Sequence, residues 1–357
     1  MSEVKVNKIS PRSGTDVTLG DASDTFTLPA SATLDVNGTL DLAGSTMTGF
    51  TIPTINLDGT VESSPASGDI WYASGKFNFG TSLTFLGVWS SGGNLGTGRV
   101  YGAGCGTQSA ALCISGHVSA AISSTEEYNG TAWSAGGNVG TARRHLAGTG
   151  TEAAGLCCGG YPSGATTTEE YNGSAWSAGG AMLTGRNELS AAGTQSAALN
   201  IGGNGPSNVT EEYDGSSWSS GGNLATARFA GAAAGTQSAG LFASGSSLLT
   251  VTEEYDGTSW SSGGNMITGR HTAYGAGTQS AALVMGGNTG PLDSTEEYDG
   301  TAWSAGGDLI TARYGHGAAG TTTAGLCFAG NSSTTSTEEY TGGTGSFAEL
   351  FSVSQGL

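Results

Sequence analysis

Six arginines recur along the chain at nearly constant spacing, and they have the clearest potential to bind a charged ligand. They are Arg99, Arg143, Arg186, Arg228, Arg270 and Arg313, at successive spacings of 44, 43, 42, 42 and 43 residues. Guanidinium groups gathered around one axis could bind an anion. Each repeat also carries two glutamates, such as Glu296 and Glu297, and strand alternation would turn one of them toward an arginine. An ion pair copied six times is a structural device, so we expect the arginines to stabilise the fold.

Six tryptophans follow the same period and could form a platform for a sugar. They are Trp89, Trp133, Trp176, Trp218, Trp260 and Trp303. Aromatic rings contribute heavily to packing, and a ring repeated in nearly every unit is more often a packing residue than a ligand platform. We therefore expect the tryptophans to be structural as well.

The other reactive side chains do not form a catalytic pattern. The four histidines, His117, His145, His271 and His316, occupy unequal positions of the repeat. The sequence has no cluster of His, Cys and carboxylates with metal-ligand spacing, no phosphate-binding loop and no G-x-S-x-G motif. It therefore predicts no cofactor, no metal and no enzymatic activity. A carboxylate pair for glycosidic cleavage remains an alternative, because acidic residues are plentiful.

The five cysteines are predicted to be packing thiols. Cys113, Cys157 and Cys327 share one position of the repeat, where other units carry Asn200 or Phe242. That position accepts any side chain that fills the space. Equivalent positions on different units should also be too far apart to form a disulfide.

The composition excludes several partners. Of the 357 residues 64 are glycine and 11 % are charged, and the formal net charge is −18. Binding to nucleic acids or to anionic membranes requires a basic protein surface, which such an acidic chain lacks. No apolar run reaches the ~18 residues that a membrane span needs, and the N-terminus lacks a signal-peptide core. We therefore expect that the chain does not insert into a membrane and that it is synthesised in the cytoplasm of a host.

The repeat predicts the elements that must position these residues. A period of 42 to 44 residues with short strand-like runs is typical of β-propeller blades. In the fifth unit the predicted strands are residues 271–275, 280–285 and 295–298 and a fourth that carries Trp303, with a turn at 277–279. An Asp-Gly pair after the third strand is a strong hairpin signal. The predicted fold is all-β, a six-bladed propeller.

The first and last units are incomplete in complementary ways. Trp89 has no arginine or TEEY string before it, whereas the last unit runs from Arg313 to Tyr340 and lacks a tryptophan. We expect the strand around 83–89 to pair with the strand around 338–340. That pairing closes a ring of six blades and leaves no open edge strand.

The unit resembles the kelch repeat. The residues that carry the resemblance in the fifth unit are Gly286-Gly287, Tyr298, Trp303 and Arg270, and it extends over about residues 83–340. The Tyr-to-Trp spacing is shorter than in that family, and the glycine pair is intact in three of the six units. The resemblance implies blades of four antiparallel strands.

Differences in length between the units are confined to one loop. Between the glycine that ends the second strand and the threonine of TEEY lie 8, 7, 6, 6, 7 and 6 residues. Such loops should emerge together on one face, which favours a binding surface over neutral drift. We expect them to be the most exposed and least packed part of each unit. The candidate binding residues are His117, Val118, Tyr161, Pro162, Asn204, Asn208, Leu248, Asn288, Asp293 and Asn331.

Residues 1–62 differ in texture from the repeats. They contain short alternating apolar runs, and residues 33–38 are nearly repeated by residues 39–44. Strands this short cannot bury a core alone, so we expect an intertwined homo-oligomer, most simply a trimer. Residues 51–68, with two prolines, are typical of a connector.

The string KVNKISPRSGTDVTLGDASDTFTLPASATL resembles the N-terminal segment of virion proteins in phages of marine bacteria, including cyanophages. In that group the segment precedes varied C-terminal modules, kelch-like propellers among them. The resemblance implies a tail-fibre or baseplate-associated adhesin located in the virion. The N-terminal segment would contact other tail or baseplate proteins, and the propeller would contact a glycan or protein of the host surface. The alternatives are a virion decoration protein without a receptor and a glycan-cleaving propeller.

The predicted organisation follows from these observations. It is a virion-attachment and oligomerisation segment at 1–62, a connector at 63–82, a six-bladed propeller at 83–347 and a C-terminal tail at 348–357.

Overall fold

The computed structural model describes residues 70–73, 76–79, 87–162 and 166–343. The chain divides into two units, Met1–Ser82 with Ser346–Leu357 and Leu83–Gly345. The predicted N-terminal strands, the stretch 51–68 and the C-terminal tail lie outside the described residues. Within the predicted connector, β1 (Ile70–Ala73) and β2 (Lys76–Phe79) form an antiparallel hairpin. In the described part of the chain, no helix is long and apolar enough to cross a membrane.

The unit Leu83–Gly345 is a six-bladed β-propeller, as predicted. Each blade is a four-stranded antiparallel sheet whose strands we name A to D from the axis outward. Blade one contains β4 (Ala103–Thr107), β5 (Ala110–His117), β6 (Ala121–Tyr128) and β7 (Trp133–Ala135); blade two contains β8 (Ala147–Gly150), β9 (Gly155–Cys158), β10 (Thr168–Tyr171) and β11 (Trp176–Ala178); blade three contains β12 (Ser190–Thr194), β13 (Ala197–Ile201), β14 (Thr210–Tyr213) and β15 (Trp218–Ser220). Blade four contains β16 (Ala232–Thr236), β17 (Ala239–Ala243), β18 (Thr252–Tyr255) and β19 (Trp260–Ser262); blade five contains β20 (Tyr274–Thr278), β21 (Ala281–Met285), β22 (Thr295–Tyr298) and β23 (Trp303–Ala305); blade six contains β24 (Gly317–Gly320), β25 (Ala324–Phe328), β26 (Thr337–Thr341) and β3 (Val88–Ser91). Short 3-10 turns occur at Ser246–Leu248 and Asn331–Ser333.

The predicted closure of the ring is confirmed. Strand β3 completes blade six by pairing with β26, in a register that places Trp89 opposite Tyr340. The Trp89 indole Nε1 donates to Thr295 Oγ1 of blade five at 3.1 Å and to the Gly307 carbonyl at 3.0 Å. Strand β3 thereby links blade six to blade five, and it covers the outer edge of β26.

The first strand of the fifth unit was predicted too early. In blade five it is β20, Tyr274–Thr278, rather than residues 271–275, and the turn begins at Gln279. Thr272 has a φ of 49°, which is incompatible with a strand. The residues between the arginine and strand A therefore lie at the end of the blade, close to the axis.

The core lies between the blades and is copied around the ring. The central leucine of strand B is fully buried in every blade. The tyrosine of TEEY packs on the tryptophan of strand D, with ring centroids 4.9–5.0 Å apart. Each indole N–H donates to the TEEY threonine of the preceding blade at 2.8–3.1 Å. Each hydrogen bond contributes about 1 kcal/mol, so the tryptophans tie blade to blade.

Three blades carry serine or alanine in place of the first glycine of the pair, and the backbone conformation at that position is the same in all six blades. Ser115, Ser244 and Ala329 have φ of 58–64°, close to the 56–67° of the glycines that fill this position in the other blades. A non-glycine residue is strained there, and the two serines make compensating contacts. The Ser115 Oγ lies 2.5 and 2.7 Å from the carbonyl oxygens of Ile122 and Arg143, and its single O–H donates to one of them at a time.

All five cysteines are buried and none forms a disulfide. Burial raises the pKa of Cys113 and Cys158 to about 11 and that of Cys105 and Cys327 to about 12. These thiols fill space in the core and remain protonated at neutral pH.

Candidate functional site

The six arginines are buried structural residues and are closed to a ligand. Each is at most 3 % exposed, and each pairs with the first glutamate of its TEEY string. Arg270 Nη1 also donates to the carbonyls of Gly286 and Ser294 at 2.9 and 2.8 Å. These two carbonyls flank the variable loop of blade five. The arginine therefore holds the two ends of that loop together.

The partner carboxylate attaches the segment that enters the blade. Glu296 Oε2 and Oε1 accept hydrogen bonds from the backbone N–H groups of Ile267 and Thr268 at 2.8 and 3.1 Å. The same pair of hydrogen bonds recurs in blades one, three, four and six, and in blade two the Gly140 N–H donates to Glu169 Oε2 at 2.6 Å. The second glutamate of TEEY accepts a hydrogen bond from the tyrosine hydroxyl of the next blade. Both glutamates are thus committed to the fold.

The connections of each blade are divided between two faces of the disc. Because the strands are antiparallel, the loops between strands B and C emerge on the same face as the segments that lead from strand D to the next strand A. We call this the BC face. The A–B and C–D turns lie on the opposite face. The opposite-face turns are nearly identical between blades, with Thr-Gln-Ser at four of the six A–B turns.

All ten predicted binding residues lie in the loops of the BC face. His117, Asn288 and Asn331 are half-buried; Val118, Tyr161, Pro162, Asn204, Asn208, Leu248 and Asp293 are exposed. The first residue of each loop meets the residue that follows the arginine, as in the pairing of Val100 with His117 and of Arg144 with Tyr161. The loops therefore continue inward, toward the axis, through the residues after the arginines.

The expectation that these loops are the most exposed part of each blade is wrong. In blade one, β5 and β6 extend through most of the loop, which shortens the free turn to residues 118–120. In blade six, the described side chains of 331–336 are half-buried, whereas the C–D turn of blade one, residues 129–132, is mostly exposed. The loops lose exposure because they pack over the segments that enter strand A.

A closed ring of backbone hydrogen bonds surrounds the axis on the BC face. It consists of the second residue after each arginine, and each N–H donates to the carbonyl of the equivalent residue in the preceding blade at 2.7–3.1 Å. The members of this axial ring are Tyr101, His145, Glu188, Ala230, Thr272 and Gly315. All six have φ between 49° and 59°. The ring seals the inner ends of the blades and presents six unlike residues at the centre of the face.

Large polar side chains gather on one half of this ring. The rings of Tyr101 and His145 stack with centroids 4.1 Å apart, and His145 Nδ1 lies 3.7 Å from Glu188 Oε1. The ring centroid of Tyr314 lies 6.4 Å from that of Tyr101. Arg144 directly precedes His145 in the chain. We call Tyr101, Arg144, His145, Glu188 and Tyr314 the axial cluster. The opposite half of the ring carries only Ala230, Thr272 and Gly315, so the centre of the face is asymmetric.

Burial changes the protonation of this cluster. It raises the pKa of Glu188, and burial with the neighbouring Tyr314 raises that of Tyr101. Burial and then the charge of Arg144 lower the pKa of His145 to about 4. His145 is therefore neutral at pH 7. The formal charges of the cluster are Arg144 and, when ionised, Glu188.

Arg144 differs from the other arginines. Among residues 87–162 and 166–343 it is the one lysine or arginine outside the six buried ion pairs. Its guanidinium carbon lies 4.9 Å from the centre of the Tyr161 ring. Among the described residues its buried Nε has no hydrogen-bond partner, a feature it shares with the Nε atoms of Arg143, Arg186 and Arg228. A cation that is held in place yet incompletely bonded is suited to an anionic partner.

The axis itself is too narrow for a large ligand. Inner strands approach so closely that a Cβ atom on Gly104 would lie 2.6 Å from the Ala318 carbonyl oxygen. A cavity of about 120 Å³, lined by the six A strands and mostly by their glycines and alanines, lies on the axis. It has room for a few waters, whereas small-molecule sites measure about 300–1,000 Å³. A ligand of saccharide size must therefore bind on the face.

Sequence reasoning overlooked the axial cluster, although a signal was present. The two residues after the arginines read VY, RH, NE, FA, HT and YG, whereas the Gly-Thr pair seven residues after each arginine is invariant. Length differences drew attention to the B–C loops alone. Comparison of residue types at each position would also have identified these two positions.

No protein-family model matches this chain, and no curated protein matches it. The described residues contain no group of three or more His, Cys, Asp or Glu side chains placed to hold a metal. The class of protein is therefore defined by its fold, a six-bladed β-propeller closed by an N-terminal strand.

Proposed function

We propose that the chain is a binding protein whose BC face contacts the surface of a host cell, as part of a phage tail fibre or baseplate. The observation that carries the proposal is where the blades differ. The loops that vary in length and the two positions that vary most after each arginine share one face. The core contacts and the opposite-face turns are nearly constant. A rigid scaffold with variation confined to one face is typical of recognition surfaces.

The virion assignment is supported by the N-terminal string, which lies outside the described residues. In this proposal, residues 1–62 attach the chain to other tail or baseplate proteins and assemble a homotrimer. The three propellers of one trimer would bind the cell surface at the same time, so weak attachment at each site could still hold the particle.

The proposed activity is binding without bond cleavage. The axial cluster combines stacked aromatic rings, one arginine and one glutamate, which are groups suited to holding a sugar in place. Incubation of the full chain with bacterial surface polysaccharide, followed by an assay for new reducing ends, tests this point. Release of reducing ends would favour the alternative of a glycan-cleaving propeller.

Location within the particle separates the adhesin from a decoration protein. Purified particles are labelled with gold-conjugated antibody against the propeller and imaged. An adhesin gives label at the tail tip or baseplate, and the isolated full chain reduces adsorption of particles to cells. Label spread evenly over the capsid, with unchanged adsorption, would contradict the proposal.

A further inference from the structure

We propose that the axial cluster is a subsite for a sugar residue that carries one carboxylate, so that the BC face recognises an acidic surface glycan. This inference rests on the proposed function, because it names the class of ligand for the same face. It is carried by Arg144, by the residues that fix Arg144, and by the asymmetry of the axial ring.

The charge of the propeller makes Arg144 unusual. Residues 87–162 and 166–343 carry 19 acidic side chains and seven arginines, a net charge of −12. Six of those arginines are buried in ion pairs. A domain of this charge repels anions over most of its surface, so the remaining cation near the axis marks the place where an anion is best tolerated.

Arg144 is held in an orientation suited to a carboxylate. Its guanidinium stacks on Tyr161, and its backbone pairs with the same residue. This contact limits its side-chain freedom, so less entropy is lost when a ligand binds. A guanidinium offers two parallel N–H groups that match the two oxygens of a carboxylate.

The neighbouring charge favours a singly charged ligand. Glu188 lies beside His145, which is neutral at pH 7 and next to Arg144 in the chain. Arg144 and an ionised Glu188 together carry no net charge. A carboxylate adds one negative charge to this site, whereas a phosphate monoester adds about 1.5 to 2. Repulsion by Glu188 is therefore smaller for the carboxylate.

The remaining groups are suited to a sugar ring and its hydroxyls. Tyr101 and His145 supply flat stacked rings, and Tyr314 lies beside them. The surrounding loops begin with amides, at Asn204, Asn288 and Asn331. Neutral donors and acceptors of this kind bind hydroxyl groups. Because large side chains occupy half of the ring only, the centre accommodates one ligand rather than six equivalent ones.

The test is a titration of the full chain, at low salt, with three probes that share a glucose ring. They are methyl glucuronide, methyl glucoside and glucose 6-phosphate, followed by ligand-observed NMR. We expect the glucuronide to bind about tenfold more tightly than the neutral glucoside, which is the effect of one charge-assisted hydrogen bond. Equal affinity for these two probes, or phosphate binding as tight as glucuronide binding, would overturn the proposal.

Two variants of the cluster should shift affinity in opposite directions. Arg144→Asn, which installs the residue that repeat three carries at Asn187, should abolish the preference for the glucuronide. Glu188→Gln should tighten glucuronide binding several-fold by removing the repulsion. The control is Asp256→Asn on the opposite face, since Asn129 and Asn172 occupy that position in other blades; it should leave binding unchanged. Discrimination that survives in Arg144→Asn would assign it to another site.

Failure of this inference can be told apart from failure of the proposed function. If the glucuronide does not bind but exchange of BC-face loops still alters attachment to cells, the carboxylate subsite is refuted and the proposal that the BC face contacts the cell is supported. If neither the cluster variants nor the loop exchanges alter attachment, both are wrong.

Discussion

Acid sensitivity of the propeller should depend on one buried histidine. His316 is fully buried, and neither ring nitrogen has a hydrogen-bond partner among the residues that the structure describes. Burial, followed by the charges of Arg313 and Arg270, lowers its pKa from 6.5 to about 3. Its ring also lies 5.1 Å from that of Tyr274. The folded protein therefore keeps this side chain neutral at pH values where the unfolded chain binds a proton.

The sign and size of the effect follow from the two pKa values. Because the pKa of His316 is lower in the folded protein than in the unfolded chain, its contribution to the free energy of unfolding is complete above pH 6.5. That contribution is lost as the pH falls toward 3. At pH 5 the unfolded histidine is about 1.5 pH units below its pKa, so the loss relative to pH 8 is about 2 kcal/mol. For a domain of this size that corresponds to roughly 4–8 °C in Tm. The result depends little on the native pKa, provided that it stays below about 4.

The matched variant is His316→Leu. Leu146 and Leu189 fill the same position in blades two and three and are buried there. Leu189 approaches Gly159 as His316 approaches Gly286, so a leucine fits the site. Thermal unfolding of both proteins at pH 8 and pH 5 should show that the advantage of His316→Leu grows by roughly 4–8 °C at the lower pH. Leu189→His should acquire the same acid sensitivity. A difference between His316→Leu and the wild type that stays constant with pH would refute the reasoning.

Three further predictions concern the fold and the loops. Arg270→Ala leaves its glutamate partner buried without a counter-charge, so it should cost about 3–5 kcal/mol of unfolding free energy; a loss below ~1 kcal/mol in urea unfolding would contradict a structural role. Exchange of loop 117–124 for loop 331–336 changes the length by two residues, costs under ~1 kcal/mol and should alter cell attachment at equal Tm; unchanged attachment after several such exchanges would place the receptor site elsewhere. A chain shortened to begin just after β3 should lose Tm and aggregate, because β26 becomes an open edge; a monomeric product of wild-type Tm in size-exclusion chromatography and thermal scanning would contradict closure by β3.

The sequence predicted the propeller well because its constraints are repeated. Any feature that every blade needs, such as the arginine, the TEEY string or the tryptophan, appears six times at one period. The unmatched Trp89 and the missing tryptophan after Tyr340 indicated closure for the same reason. The buried Arg270–Glu296 pair also follows from strand alternation, once the repeat is known.

The axial cluster was harder to predict because it depends on where strand A begins. Placing His271 and Thr272 in a strand removed both from the face. In the structure the second residue after each arginine has a left-handed backbone and bonds to the neighbouring blade rather than within its own sheet. Such contacts between distant repeats leave no local pattern. The partial burial of the B–C loops was missed for the same reason, since the loops pack on segments that come from another part of the repeat.

The central claim is that the BC face is the contact surface, and site-selective blocking tests it most directly. All five native cysteines are buried, and burial raises the pKa of each, so an introduced surface cysteine can be labelled alone. Ser119→Cys lies exposed on the BC face of blade one, and Ser109→Cys lies exposed on the opposite face of the same blade. Each variant of the full chain is coupled to a bulky polyethylene glycol maleimide, and its attachment to bacterial cells is measured against its unlabelled form. We predict that the label at position 119 abolishes attachment and that the label at position 109 leaves it intact; attachment lost only through position 109 would contradict the account.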